Sequence, residues 1–193
     1  MTHQAVVQDI VSADVCRSSS GGEHATFGGV FKVTCFGADG ALKWSDEFPN
    51  LVVNEGLQYL NNAVFKGVSY NAAWYLGLIY GSPSPTYAAT DSLVGGHPGW
   101  IEFTSYVELT RIGVVFNSAT NAAPSVVGNA GTPCVFTISG LGGTVGGAFL
   151  STNNVKSGVT GTLFSEANFV GGNKVVNATD TLNVTYTFSA ASA

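Results

Sequence analysis

The chain has 193 residues, 45% of them hydrophobic and only 10% charged, with a formal charge of -5. An average soluble domain carries roughly 25% charged residues. The length buries one substantial core or at most two small ones. The seven basic residues (Arg17, Lys32, Lys43, Lys66, Arg111, Lys156 and Lys174) are scattered singly, which argues against phosphate binding and so against a nucleic-acid partner. Three widely spaced cysteines, Cys16, Cys35 and Cys134, are odd in number and read as small reduced core residues rather than a disulfide framework. No apolar run reaches the length of a membrane span. The first residues lack the basic and apolar regions of a signal peptide, so synthesis and use without export through the secretory route is expected. A polar, weakly charged surface favours assembly, because few charges hold copies apart.

Val6, Val7, Ile10, Val11 and Val15 stand at mixed spacings that fit a short amphipathic helix or an extended arm. The run Ser18 to Gly22 (SSSGG) then reads as a flexible hinge. The organisation predicted is a flexible N-terminal arm over 1–22, either reaching a neighbour or simply a frayed terminus, followed by a single β-sandwich domain over 23–193.

From Phe27 to Phe36 the sequence FGGVFKVTCF is aromatic and β-branched, and the Asp39-Gly40 pair that follows marks a hairpin turn. Residues 41–48 return as its partner strand, stopped by Pro49. A helix is predicted over 50–65, with Asn54 as N-cap, Glu55 near the positive end, and Leu57, Leu60 and Val64 near helical spacing. The uninterrupted apolar run Ala73 to Tyr80 (AWYLGLIY) reads as a buried central strand. The following loop, Gly81 to Gly99, holds three of the six prolines and is long enough to be functional or contact-forming.

Short strands are expected over 100–106, 110–116 and 133–139, with an exposed connection over 118–131. Residues 144–150 and 181–188 alternate best, the latter setting Leu182, Val184, Tyr186 and Phe188 against Asn183, Thr185 and Thr187. One helical turn is expected at 165–169. The fold class is therefore mainly β: an antiparallel β-sandwich or jelly roll with one short helix, about eight strands and the N-terminal arm.

No catalytic template is met. His3, His24 and His97 are isolated, and no CxxC or HExxH spacing occurs, so no metal or other cofactor is expected. The glycine pairs 28-29, 142-143 and 146-147 lack the lysine and strand-to-helix context of a phosphate loop and read as bends or bulges. Glu102 and Glu108, near Trp100, Phe103 and Tyr106, are the best pair of carboxylates for a glycosidase, but a solvated strand face explains them more simply. No GxSxG elbow is present. Among the aromatic residues, Tyr70, Tyr80 and Tyr87 lie near the proline-rich loop and are the candidates for stacking on sugars.

Several segments in a fixed order carry a resemblance: GADGALKWSDEFPNLVVNEGLQYL, AWYLGLIY, HPGWIEFTSY with Thr110-Arg111, and AFLSTNNVKSGVTGTLFSEANF leading to DTLNVTYTFSA. Together they cover most of the chain after Gly37, and the chain resembles small virion structural proteins of tailed bacteriophages. The resemblance implies a non-enzymatic component present in many copies, made in the host bacterial cytoplasm and located in the virion. Within that group a capsid decoration or cement protein at the capsid surface is the preferred role, with the major capsid protein and copies of itself, as a trimer, for partners. A tail or head-fibre component, with carbohydrate as receptor, is the alternative. The expected contact residues are Val6, Val7, Ile10 and Val11 of the arm, together with Tyr80, Tyr87 and Trp100 in and beside the loop. No membrane or nucleic-acid partner is expected.

Overall fold

The computed structural model describes residues 25–68, 70, 73–94 and 99–192. The predicted arm, with Val6, Val7, Ile10 and Val11, lies outside the described residues, as do Cys16 and the three histidines.

Two antiparallel sheets face each other, as the sequence predicts. The first is built on β1 (Ala25–Phe36) and β12 (Thr181–Ser192), which pair along their whole length, Ala25 opposite Ser192 and Phe36 opposite Thr181. β2 (Leu42–Pro49) joins the outer edge of β1 through the Asp39-Gly40 turn, where Gly40 takes a φ of 76° that a residue with a Cβ rarely adopts. The other edge of β12 is shared by two short strands, β7 (Ser125–Gly128) and β8 (Cys134–Thr137). Asn129 stands at the break between them, fully buried. Its side-chain oxygen accepts the Tyr186 N–H at 2.7 Å, replacing the ladder bond that the break removes.

In the second sheet the order is β3 (Leu51–Val52), β10 (Leu163–Asn168), β9 (Gly143–Ser151), β4 (Tyr75–Tyr80), β5 (Glu102–Phe103). β11 (Lys174–Val176) also pairs with β9, and β6 (Ile112–Gly113) with β4. Between the sheets, Phe31, Val33 and Cys35 of β1 and Leu182, Val184 and Tyr186 of β12 meet Leu76, Leu78, Val145, Ala148 and Leu150. Burying each large apolar side chain contributes about 1.5–3 kcal/mol.

A second, smaller core lies among Val53, Ile79, Leu93, Trp100, Phe149 and Leu163, with Leu51 and Tyr87 packed on it. The loop after β4 and the start of the helix cover the far face of the second sheet, so β4 and β9 are buried on both sides. That is why their sequences run apolar without alternation. The backbone approach is close there: a Cβ on Gly77 would fall 2.3 Å from the Phe149 ring. Trp100 is buried, its ring 4.8 Å from that of Phe149.

The single helix, α1, spans Asn54–Phe65. Asn54 is its first residue rather than its cap. Val53 holds the cap position without a side-chain bond, its own N–H donating to Phe164 O at 3.1 Å. Glu55 does not idle at the positive end: its carboxylate accepts the Leu163 N–H at 2.9 Å, stapling the helix to β10. Among the described residues the chain forms twelve strands rather than eight. The helical turn expected at 165–169 is strand β10, paired on both edges by β3 and β9. The connection over 118–131 contains β7. The strands expected over 100–106 and 110–116 shrink to two residues each, because the chain leaves the sheet after Phe103 and returns only at Ile112.

No described helix is long and apolar enough to cross a membrane. Cys35 and Cys134 are buried free thiols, as expected. Burial pushes them up to about 11 and about 12, so both stay protonated and inert as nucleophiles.

Candidate functional site

The most constrained polar group in the described chain is Arg111, the only fully buried cation there. Its Nε donates to Glu102 Oε1 at 3.0 Å and its Nη2 to Glu102 Oε2 at 2.8 Å, a bidentate pair with both side chains essentially without exposure. Nη1 donates to Asn153 O at 3.0 Å and to Ser151 Oγ at 3.4 Å, and Nη2 also reaches Gly158 O at 3.1 Å. All five guanidinium donors are thereby satisfied. The cation lies 4.9 Å from the centre of the Phe149 ring. Glu102 further accepts the Ser157 N–H at 2.7 Å. The carboxylate read as lying on a solvated strand face is in fact the counter-ion of a buried cation. Three of the roughly four lone-pair positions of the Glu102 carboxylate are thereby filled, and through Asn153 O, Ser157 N and Gly158 O the pair fixes the backbone of the 153–159 segment.

Three segments, 101–110, 135–141 and 153–159, are tied together here, and the pair itself bonds to the last of them. Lys156 Nζ sits 3.6 Å from the centre of the Tyr106 ring and donates to Tyr106 O at 2.7 Å. Val107 N donates to Thr137 O at 2.8 Å, and Ser139 N to Ser105 O at 3.0 Å. Glu108, the other carboxylate of the pair considered above, accepts the Thr137 N–H with both oxygens at 3.1 Å. It therefore also serves the backbone.

Outward from these segments project apolar side chains. Leu109 is 92% exposed, Leu141 fully so, and Ile101, Val107, Val135 and Val155 largely so. An exposed apolar side chain is ordinary when single. Several on segments joined to one another by hydrogen bonds are the candidate for an interaction surface.

A second polar cluster lies under the loop after β4. Glu166 of β10 is fully buried, and its Oε2 accepts the Trp100 Nε1–H at 2.6 Å. Burial, together with the neighbouring Asp91 carboxyl, pushes Glu166 up to about 9, so it keeps its proton at neutral pH. Asp91, itself buried, accepts the Ala88 N–H at 3.0 Å. These carboxyls anchor the loop to the sheet. Tyr87 packs on the same core, with its phenol raised chiefly by burial.

The expected contact residues are therefore differently placed. Trp100 is a core residue, its indole N–H turned inward to Glu166. Tyr87 is partly buried in the second core, and Tyr80 is partly buried with its ring stacked on Phe103 at 6.0 Å. Tyr70 is exposed and stands at the rim of an apolar groove of about 530 Å³, between α1 and the inner face of the first sheet. The residues that sequence reading missed are Arg111, taken as one scattered cation, and the exposed Leu109 and Leu141. The available signal was an arginine nine residues from a glutamate in an apolar stretch, which is faint.

Among the described residues, no three His, Cys, Asp or Glu side chains gather as metal ligands. Comparison of the chain with known protein families, with curated proteins and with solved structures finds no match.

Proposed function

We propose that this protein is a non-enzymatic structural component of a tailed-bacteriophage virion, a decoration or cement protein at the capsid surface. It would act by burying surface across neighbouring subunits, with copies of itself and the major capsid protein as partners. The observation that supports an assembly role best is the set of exposed apolar side chains on segments 101–110, 135–141 and 153–159, which hydrogen bonds join to one another and the buried Glu102–Arg111 pair anchors at 153–159. A rigid apolar surface loses little conformational entropy on binding. A protein that binds only the assembled shell stabilises that shell by mass action. The virion assignment itself draws on the resemblance of the sequence.

The test is to mix purified protein with capsids lacking it and to follow co-sedimentation and capsid melting. The expected result is a fixed copy number and a raised melting temperature, both lost in the Leu109→Asp, Leu141→Asp variant, whose changes sit at exposed positions and leave the fold intact. Failure to bind shells, with binding to tails or to host glycans, would move the assignment to the fibre or receptor role. In that role Tyr70 is the exposed one of the three tyrosines that the sequence suggests for stacking on a sugar.

A further inference from the structure

The groove beside α1 is separate from the surface just described. Leu60, Ala63 and Val64 of the helix form one wall, Val127 and Phe188 the other, and Trp74 and Phe164 lie at its base. Apart from Asn117, every described side chain lining it is aromatic or aliphatic. Of its lining side chains, Val64 and Tyr70 are well exposed. A space of about 530 Å³ walled by hydrocarbon is costly to leave to water.

We infer that this groove seats the chain's own N-terminal segment, with Val6, Val7, Ile10 and Val11 as the side chains that enter it. Three observations lead there. The described chain begins at Ala25, two residues before Phe27, whose ring stacks on Phe188 of the groove wall at 6.0 Å. Two residues span at most about 7 Å, so the described chain begins beside the groove. Twenty-four residues precede Ala25 and reach roughly 80 Å when extended. The sequence Ser18 to Gly22 (SSSGG) reads as the hinge that a return to the groove requires.

The segment also has the right chemistry. Val6 and Ile10, and Val7 and Val11, are each four residues apart, so a helix over this stretch presents all four on one face. Apolar side chains then meet an apolar groove without burying a charge. Tethering raises the effective concentration of the segment at its own groove to the millimolar range, which favours it over an untethered competitor or a second copy. This inference holds whether or not the protein is a virion component.

The decisive experiment places a photo-cross-linking amino acid at position 10 of the full-length chain and maps its adducts by mass spectrometry in a mixture of isotopically light and heavy protein. Adducts on α1 residues such as Val64, formed within one chain, are expected. Adducts predominantly between light and heavy chains would overturn the assignment in favour of exchange between copies. Adducts away from the groove, or none, would overturn it outright.

A second measurement uses the full chain with Val6, Val7, Ile10 and Val11 all changed to Ser. Binding of an apolar fluorescent dye is expected to rise several-fold, with an unchanged near-ultraviolet circular dichroism spectrum. A synthetic peptide of residues 1–17 should reverse the rise, and adding Val64→Asp to the variant should weaken that peptide at least tenfold. Equal dye binding by the parent and the serine variant would show that the segment does not cover the groove.

Discussion

The two sheets are built from similar strands yet solve different problems. The first has one buried face and one in water. Its outer side carries Lys32, Thr34, Ser45, Glu47, Asn183 and Thr185, matched across strands with Lys32 opposite Glu47 and Thr34 opposite Ser45. The second sheet is covered on both faces, and its outer cover is made of loops. Loops bring backbone polar groups that a strand would have paired. The buried Glu102–Arg111 pair and the Glu166–Asp91 cluster lie on this covered side, where they satisfy loop carbonyls and N–H groups. The difference teaches that the buried charge in this molecule goes with its loop-covered architecture: it sits where backbone groups outside the strands need partners.

Removing one member of the ion pair breaks the comparison most severely. Arg111→Leu leaves Glu102 buried without a cation and frees Asn153 O and Gly158 O, and a loss of about 3–5 kcal/mol is expected in urea denaturation. The double variant Glu102→Leu, Arg111→Leu should recover part of it, because no unpaired charge then remains. The same loss should loosen the 153–159 segment, read as faster amide hydrogen exchange there than in the first sheet.

The next effect is a pH dependence. Glu166 ionises at about 9 in the fold against an ordinary value of 4.5. Between those values the unfolded chain has released a proton that the folded chain still holds, so its contribution to stability is full below about 4.5 and is lost as pH rises towards 9. The slope is about 1.4 kcal/mol per pH unit for this one group. Glu166→Gln keeps an acceptor for Trp100 and removes the titration. The difference in stability between parent and variant should therefore shift in favour of the variant from pH 5 to pH 8. A difference independent of pH would mean that Glu166 is ionised in the fold.

A smaller effect tests the close packing of the covered sheet. Gly77→Ala forces a methyl group against the Phe149 ring, which Trp100 and Arg111 also pack against, and about 1–3 kcal/mol should be lost. The thermal midpoint reads this directly.

Legibility of the fold follows the same division. The first sheet was readable because one wet face imposes alternation, as in Leu182, Val184 and Tyr186 against Asn183, Thr185 and Thr187, and because Asp39-Gly40 dictates a turn. The central position of β4 was readable from its apolar run. β10 was misread because Ser165, Glu166, Ala167 and Asn168 have no strand preference of their own, and their conformation comes from pairing with β3 and β9. β7 was missed for a similar reason, since Ala, Asn and Ser surround only two valines. The Glu102–Arg111 contact depends on how the chain leaves and re-enters the sheet, which no local pattern encodes. The exposed Leu109 and Leu141 gave no signal because exposure is a property of the folded surface.

The mildest change probes the wet face of the first sheet. Thr34 Oγ1 lies 3.1 Å from Ser45 Oγ on that face, a neutral hydrogen bond in contact with water, where exchange with solvent leaves little net gain. Thr34→Val keeps the β-branched shape that suits a strand and should change stability by no more than about 0.5 kcal/mol. The measurement is sharpest at two protein concentrations, tenfold or more apart. If the variant matches the parent at both, the outer face is solvated in the free protein. A change above about 1 kcal/mol that grows with concentration would show this face covered by another copy, because a surface substitution acquires a large effect only when the surface is buried. The two sheets would then be alike after all, each covered on its far side, one by its own loops and the other by a neighbour.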